Sequence, residues 1–244
     1  MAELSPELSI VLPAWNEEAV IGRLIEELNN EVASRLDAAE IVVVDDCSTD
    51  GTAAVVARLA EASERLVVVQ LRENRGHGPA VLEGMRCSRG DWIFQLDSDG
   101  QFVVADFWKL WERRQEADLV LGVRSSRHDP RHRLLLSRLV ATVVSLLLLR
   151  RVRDANTPFR LLRRELWEEL RPDLPRRALA PSILTVVGAV ARGRRVVEVP
   201  VAHLPRQRGG SSLQKWRLVR FSLRGLVQLV RFRLSLARTR SGPH

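Results

Sequence analysis

Asp97 and Asp99 stand one residue apart at the end of an apolar run, Trp92 to Leu96, in a stretch that continues through Gly100 to Gln101. Side chains at i and i+2 share a face of an extended chain, so both carboxylates point the same way, and Gly100 lets the backbone turn sharply behind them. With the Gln101 amide oxygen as a third hard donor, the group suits a magnesium or manganese ion that keeps positions open for the phosphates of a substrate. An acidic turn capping the next helix, with Asp99 as N-cap, accounts for the same residues. A second acidic cluster, Asp45-Asp46-Cys47-Ser48-Thr49-Asp50-Gly51-Thr52, follows the β-branched run Ile41 to Val44. Asp50 is the natural helix-start residue there, which leaves Asp46 to accept hydrogen bonds from a base or ribose. A third polar loop, Asn74-Arg75-Gly76-His77-Gly78-Pro79-Ala80, sets two glycines directly before a helical pattern. Backbone amides around Gly76 and the positive end of the helix dipole then face whatever sits there. His77 reads as a loop residue and His203 as a packing or phosphate-contact residue rather than as bases.

These residues can act together only if the chain brings them to one edge, and its periodicity predicts how. Leu8 to Leu12 is an apolar run ending at Pro13, followed by a helical period in Val20, Ile21, Leu24, Ile25 and Leu28. Ile41 to Val44 is followed by Val55, Val56 and Leu59, and Leu66 to Leu71 by a helix beginning over Ala80 to Met85. Trp92 to Leu96 is the fourth strand. Continuous apolar strands alternating with amphipathic helices predict a mostly parallel α/β sheet covered on both faces, with ligands bound at the carboxyl ends of the strands. A helix over Phe107 to Glu116 and a strand over Leu119 to Val123, ending at Arg124, extend the pattern.

Beyond about residue 130 the alternation lapses. Arg131 to Leu149 reads as helical, Asp154 to Arg160 as a polar loop leading to a short strand or turn, Leu166 to Leu170 and Ile183 to Ala191 as helices, and Arg195 to Val201 as a strand. A long helix is expected from Leu213. In it Arg217, Arg220, Arg224, Arg231 and Arg238 share one stripe, beside one apolar face (Trp216, Val219, Leu223, Leu226, Val230) and another (Phe221, Leu229, Phe232, Leu236). Such a helix suits an interfacial position with protein on one side and lipid on the other; a terminal helix whose second apolar side meets the helix from Leu134 fits equally.

The 244 residues, 45% of them hydrophobic, can bury a substantial core, which argues against disorder. Charge is divided along the chain: residues 1–130 hold 13 Lys+Arg against 24 Asp+Glu, net −11, whereas residues 131–244 hold 25 against 6, net +19. A basic half of this size calls for an anionic partner: nucleic acid, a phospholipid surface or a phosphate-bearing substrate. Its basic residues are not interleaved with aromatics as single-strand binders require, so no nucleic acid is expected. Cys47 and Cys87 have no metal spacing and need no oxidising compartment. The amino terminus lacks a signal pattern. Leu134 to Leu149 carries Arg138 and falls short of the roughly 20 residues that span a bilayer, so no transmembrane helix is expected.

Taken in order, Pro13-x-x-Asn16-Glu17, Asp45-Asp46-x-Ser48-x-Asp50-Gly51-Thr52, Asn74-x-Gly76-x-Gly78-x-Ala80, Gly84 and Asp97-x-Asp99-Gly100-Gln101 resemble the family 2 glycosyltransferases of the nucleotide-binding GT-A fold. Gly122-x-Arg124, Arg133-x-x-x-Ser137, the Asp154 to Arg160 loop and the run from Glu198 through His203 and Arg206 to Ser211 look like the branch of dolichyl-phosphate mannosyltransferase and bacterial polyprenyl-phosphate glycosyltransferases. The resemblance covers most of residues 8–220. It implies a GT-A domain over residues 1–212, followed by a basic amphipathic helix and tail over 213–244. It also implies that Pro13, Trp15, Glu17 and Asp46 touch the nucleoside, that Asp97, Asp99 and Gln101 hold Mg2+ or Mn2+ on the diphosphate, and that Arg124, Arg133, Ser137 and Arg206 contact donor or acceptor phosphates. Trp15 stands where Tyr or Phe is usual and keeps a flat ring. Ser212 stands where Lys is common, which puts phosphate binding there in doubt unless Lys215 or Arg208 substitutes. The expected activity is inverting transfer of a sugar from a GDP- or UDP-linked donor to a polyprenyl phosphate. The expected location is cytoplasmic, peripheral at the inner face of an anionic membrane. A soluble family 2 transferase acting on a carbohydrate or small phosphorylated acceptor is one alternative; a non-catalytic membrane or nucleic-acid binding protein on the same fold is another.

Overall fold

The computed structural model describes residues 6–125, 142–146, 148, 151–204 and 215–240, with the side chains of the last helix described over 224–236. Among these residues seven strands form one sheet: β1 (Leu8–Ala14), β2 (Ala39–Asp45), β3 (Leu66–Gln70), β4 (Trp92–Gln95), β5 (Leu119–Arg124), β6 (Arg160–Arg163) and β7 (Val196–Val201). Their spatial order is β3-β2-β1-β4-β6-β5-β7. All neighbours are parallel except β6, which runs antiparallel to both β4 and β5. The helices are α1 (Glu18–Glu31), α2 (Thr52–Glu61), α3 (His77–Cys87), α4 (Phe107–Glu112), α5 (Arg164–Leu170), α6 (Pro181–Ala191) and α7 (Lys215–Arg240). The helix expected over Phe107 to Glu116 ends at Glu112, and Arg114–Glu116 form a separate 3-10 turn.

The central strands are apolar on both faces because each face meets helices. Ile10, Leu12, Ile41, Val43 and Phe94 join a core with Ile21, Leu24 and Leu28 of α1 and Phe107 and Leu110 of α4. Their alternates Val11, Val42, Val44 and Ile93 face Val81 and Met85 of α3, Leu166 and Trp167 of α5, and Val186 and Val187 of α6. The period of two along each strand thus separates two cores.

β1 lies at the centre, paired with β2 over its whole length and with β4 only as far as Val11↔Gln95. That shortfall makes Pro13 acceptable inside a strand. The Val11 carbonyl accepts the Leu96 amide at 3.1 Å, and two residues further, on the same side, the Pro13 carbonyl accepts the Ser98 hydroxyl at 2.8 Å. No neighbouring strand requires the N–H that proline lacks. From β1 the chain moves outward to β2 and β3, then crosses back to β4 on the other side, so the loops diverge at a switch point between β1 and β4.

α7 carries Leu229, Phe232 and Leu236 into the second core and leaves Leu226, Val227, Val230 and Leu234 exposed. No helix among the described residues is long and apolar enough to cross a membrane. Most of the helix expected over Arg131 to Leu149 lies outside the described residues, as do Arg133, Ser137 and Arg206.

Candidate active site

The carboxyl ends of β1, β2, β3, β4, β5 and β7 and the amino end of β6 meet at one edge of the sheet, and each delivers a polar loop there. The loop after β1 is built on Asn16, whose φ of 55° is left-handed, a conformation asparagine tolerates better than most residues. Its side chain accepts the Thr49 amide at 2.8 Å and its own amide donates to the Ser48 hydroxyl at 3.0 Å. The Glu17 amide donates to the Thr52 hydroxyl at 2.9 Å. The β1 and β2 loops are therefore stapled together, with the Trp15 ring exposed at the edge.

Asp46 has a structural task at this edge. It is buried, and its two oxygens accept the amides of Arg75 at 2.7 Å and Gly76 at 2.8 Å. The anion at the start of α3 is thus the protein's own carboxylate, and the Gly76 amide expected to meet a ligand is turned to Asp46. Its neighbour Asp45 accepts the Ser48 amide on Oδ1 at 3.2 Å, while Oδ2 is buried without a hydrogen-bond partner. Gly78, two residues into α3, answers a packing demand: a β-carbon there would strike the Ala178 carbonyl, which lies against the helix start.

Asp97, Asp99 and Gln101 follow β4 at the switch point. Among the described residues Asp97 Oδ1 is buried without a hydrogen-bond partner, and His77 Nε2 lies 3.5 Å from it. Asp99 Oδ1 accepts the Gln101 amide at 3.2 Å across the turn made by Gly100, whose φ is 68°. Gln101 donates its side-chain N–H to the Leu204 carbonyl at 3.2 Å, which fixes which end of the amide is its oxygen. The Leu204 amide returns a bond to the Gln101 carbonyl at 2.7 Å, and Phe102 bridges His203. The acidic turn is thereby tied to the segment after β7. His203 is buried with its ring edge-on to Phe102, 5.1 Å between centroids.

Arg124 reaches the same edge from β5. Its fork is held by Asp154, with Nε at 2.8 Å and Nη2 at 3.0 Å from the two carboxylate oxygens, and both side chains are largely buried. Behind this pair lies Arg160, the first residue of β6, wholly buried and donating to the carbonyls of Thr157, Ala155 and Ser182. Burial pulls its guanidinium down to about 9, against the opposing pull of the Asp154 and Asp97 carboxylates, so the cation stays charged at neutral pH. Sequence reasoning quoted the Asp154 to Arg160 loop as a motif without giving Asp154 or Arg160 a role of its own, and it missed the reach of His77 to Asp97. Arginine within an apolar run was the one available signal.

Three comparisons bear on this edge. The model of the family described as glycosyl transferase family 2 matches residues 9–179. The undecaprenyl-phosphate 4-deoxy-4-formamido-L-arabinose transferase of Pseudomonas paraeruginosa is 33% identical over 214 residues, 87% of this chain and 62% of that protein, so the chain spans less than two thirds of this curated relative. Glucosyl-3-phosphoglycerate synthase from Mycobacterium tuberculosis, solved with Mn2+, uridine diphosphate and glucosyl-3-phosphoglycerate, matches with a TM-score of 0.68 at 22% identity, covering 93% of this chain and 80% of that one. A mannosyltransferase from Pyrobaculum calidifontis, solved with GDP-Man and Mn2+, matches with a TM-score of 0.66 at 22% identity, covering 99% and 66%. At that identity the two structures speak for the fold, which is GT-A.

Proposed function

Because the chain belongs to glycosyl transferase family 2, we propose that it transfers a sugar from a GDP- or UDP-linked donor to the phosphate of a polyprenyl chain, with inversion at the anomeric carbon. The observation that carries the reading is the acidic turn at the switch point, where Asp97 Oδ1 is buried without a hydrogen-bond partner beside Asp99 and Gln101. A hard divalent cation fits that donor set, and either Mg2+ or Mn2+ suits it. Among the described residues no three His, Cys, Asp or Glu side chains cluster as a metal site. The protein would therefore supply two carboxylates and one amide oxygen, and the substrate phosphates the rest. When bound, the ion offsets charge growing on the departing nucleoside diphosphate.

The remaining roles fall to the chain itself. Trp15, Pro13, Glu17 and Asp46 border the nucleoside side of the switch point in this reading, and Asp46 also holds the loop before α3 in place. A lipid phosphate is anionic near neutral pH, so its attack needs positioning and charge screening more than a general base. Arg133, Ser137 and Arg206 are the groups proposed for that task. Arg124, gripped by Asp154, would present a fixed cation at the sheet edge. Residues 1–212 form the catalytic unit in this reading and 213–244 its basic appendage, working at the cytoplasmic face of an anionic membrane. The name of the Pseudomonas relative supports the acceptor class.

The test incubates the full chain with UDP- and GDP-sugars, a divalent cation and polyprenyl phosphate in detergent, and follows label into the organic phase. Metal-dependent, lipid-linked product is the expected result. Transfer to a water-soluble carbohydrate or phosphorylated acceptor, with none to the lipid, would overturn the reading.

A further inference from the structure

The exposed surface of α7 is unused by the catalytic edge, and its chemistry is specific. A groove of about 740 Å³ runs between α7 and the segment 173–179. It is lined by apolar side chains, among them Leu179, Val227 and Phe232, and by the three arginines Arg177, Arg224 and Arg231. Among the described residues no carboxylate pairs with these arginines, and the acid in the lining, Asp173, is engaged by Arg192. Gln228 holds the two walls together, accepting the Leu179 amide at 2.8 Å and donating to the Arg177 carbonyl at 3.1 Å.

Beside the groove, Leu226, Val230 and Leu234 recur at the helical period and are 40%, 38% and 57% exposed, with Val227 51% exposed at the groove's edge. The opposite face of the helix is already buried through Leu229, Phe232 and Leu236. An apolar stripe outward, a cationic stripe beside it and a mixed groove between match an amphiphile with a phosphate head. The second wall of the groove also abuts the start of α3 through Ala178 and Gly78, so this face lies beside the catalytic edge.

We infer that α7 seats on an anionic phospholipid bilayer, with a lipid headgroup phosphate in the groove between Arg177, Arg224 and Arg231 and the Leu226–Val230–Leu234 stripe in the acyl boundary. The net charge of +19 over residues 131–244 favours the same partner. The inference rests on the proposed transfer to a lipid phosphate for its purpose, but its test reads binding alone.

Full-length protein is sedimented with vesicles of phosphatidylcholine and of phosphatidylcholine mixed with phosphatidylglycerol, across a salt series. Binding is expected to the mixed vesicles and to weaken with salt. Arg224→Ala combined with Arg231→Ala should weaken it about thirtyfold, from about fivefold per arginine at an anionic surface. Leu234→Asp should weaken it as well, and both variants should keep wild-type nucleoside diphosphate affinity and unfolding midpoint. Equal binding to both vesicle types, or a double variant that binds like wild type, overturns the inference. So does displacement by inorganic phosphate well beyond that by chloride at equal ionic strength, which would make the groove a site for a soluble anion. Concentration-dependent dimerisation abolished by Leu234→Asp would assign the stripe to a second copy, with the same consequence. Vesicle binding without sugar transfer leaves this inference standing and removes the functional reading; transfer without vesicle selectivity does the reverse.

Discussion

Asp46 and Asp99 are both strand-end acids, yet their surroundings give them opposite work. Asp46 accepts one backbone amide on each oxygen, which gives it a structural task and leaves a lone pair on each; its replacement leaves those amides short of an acceptor. Asp46→Ala should cost about 2 kcal/mol in urea unfolding and, if Asp46 borders the nucleoside as proposed, also lower affinity for UDP or GDP in calorimetric titration. An Asp46→Ala protein as stable as wild type would contradict the assignment. Asp99→Asn should reduce transfer by about 10² to 10³-fold, the usual cost of losing one electrostatic contact to the transition state, while far-UV dichroism stays unchanged; full activity after metal chelation would refute the role. Arg160 is a third case, a buried cation held by three carbonyls with Asp154 nearby. Arg160→Met should destabilise by about 3 kcal/mol, because those acceptors and the carboxylate lose their counterpart.

At the scale of elements, α1 and α2 cap one another. The Glu18 carboxylate accepts the Gly51 amide at 2.9 Å, and Asp50 accepts the Glu18 amide at 3.3 Å as well as the Thr52 amide at 3.0 Å. Asp50 was expected to start α2; it serves both helices. Burial is the largest single influence and raises its pKa, but the hydrogen bonds from Thr52 and Glu18 together outweigh it and hold the group below its ordinary 3.8. A depressed carboxylate contributes stability that is full above the unfolded value and is lost as pH falls through the folded one. Thermal melts should therefore decline as pH drops below about 4, and Asp50→Asn, which can still cap, should show a shallower decline there. An identical acid profile in the two proteins would mean that Asp50 carries no linkage.

For the whole molecule, α7 is both core and surface. Phe232 and Leu229 are in one apolar cluster with α5 and α6, so Phe232→Ala should cost about 3 kcal/mol, or about 6 to 12 °C in melting temperature. A melt unchanged by that substitution would show that the helix does not belong to the fold. The acidic residues gather in the first 130 residues, which include the switch point, and the arginines in residues 131–244, which include α7.

Local period and punctuation were enough to read the alternating strands and helices through Arg124, the position of the acidic turn after β4, and the three-faced character of α7. Burial on one or two faces leaves its mark within a few residues, and that is what a sequence displays. Partners brought from afar leave no such mark. The amides that occupy Asp46 come from 29 and 30 residues away, the carbonyl that orients Gln101 from 103, and the carboxylate that grips Arg124 from 30. The antiparallel insertion of β6 between β4 and β5 was equally hidden, since a four-residue strand reads the same in either direction. Tertiary structure also decided which apolar face of α7 is covered, because that depends on where α6 lies and not on the helix's own pattern. The sequence by itself determined where the chemistry-bearing residues stand along the chain; the strand order determined which of them meet a ligand and which meet each other.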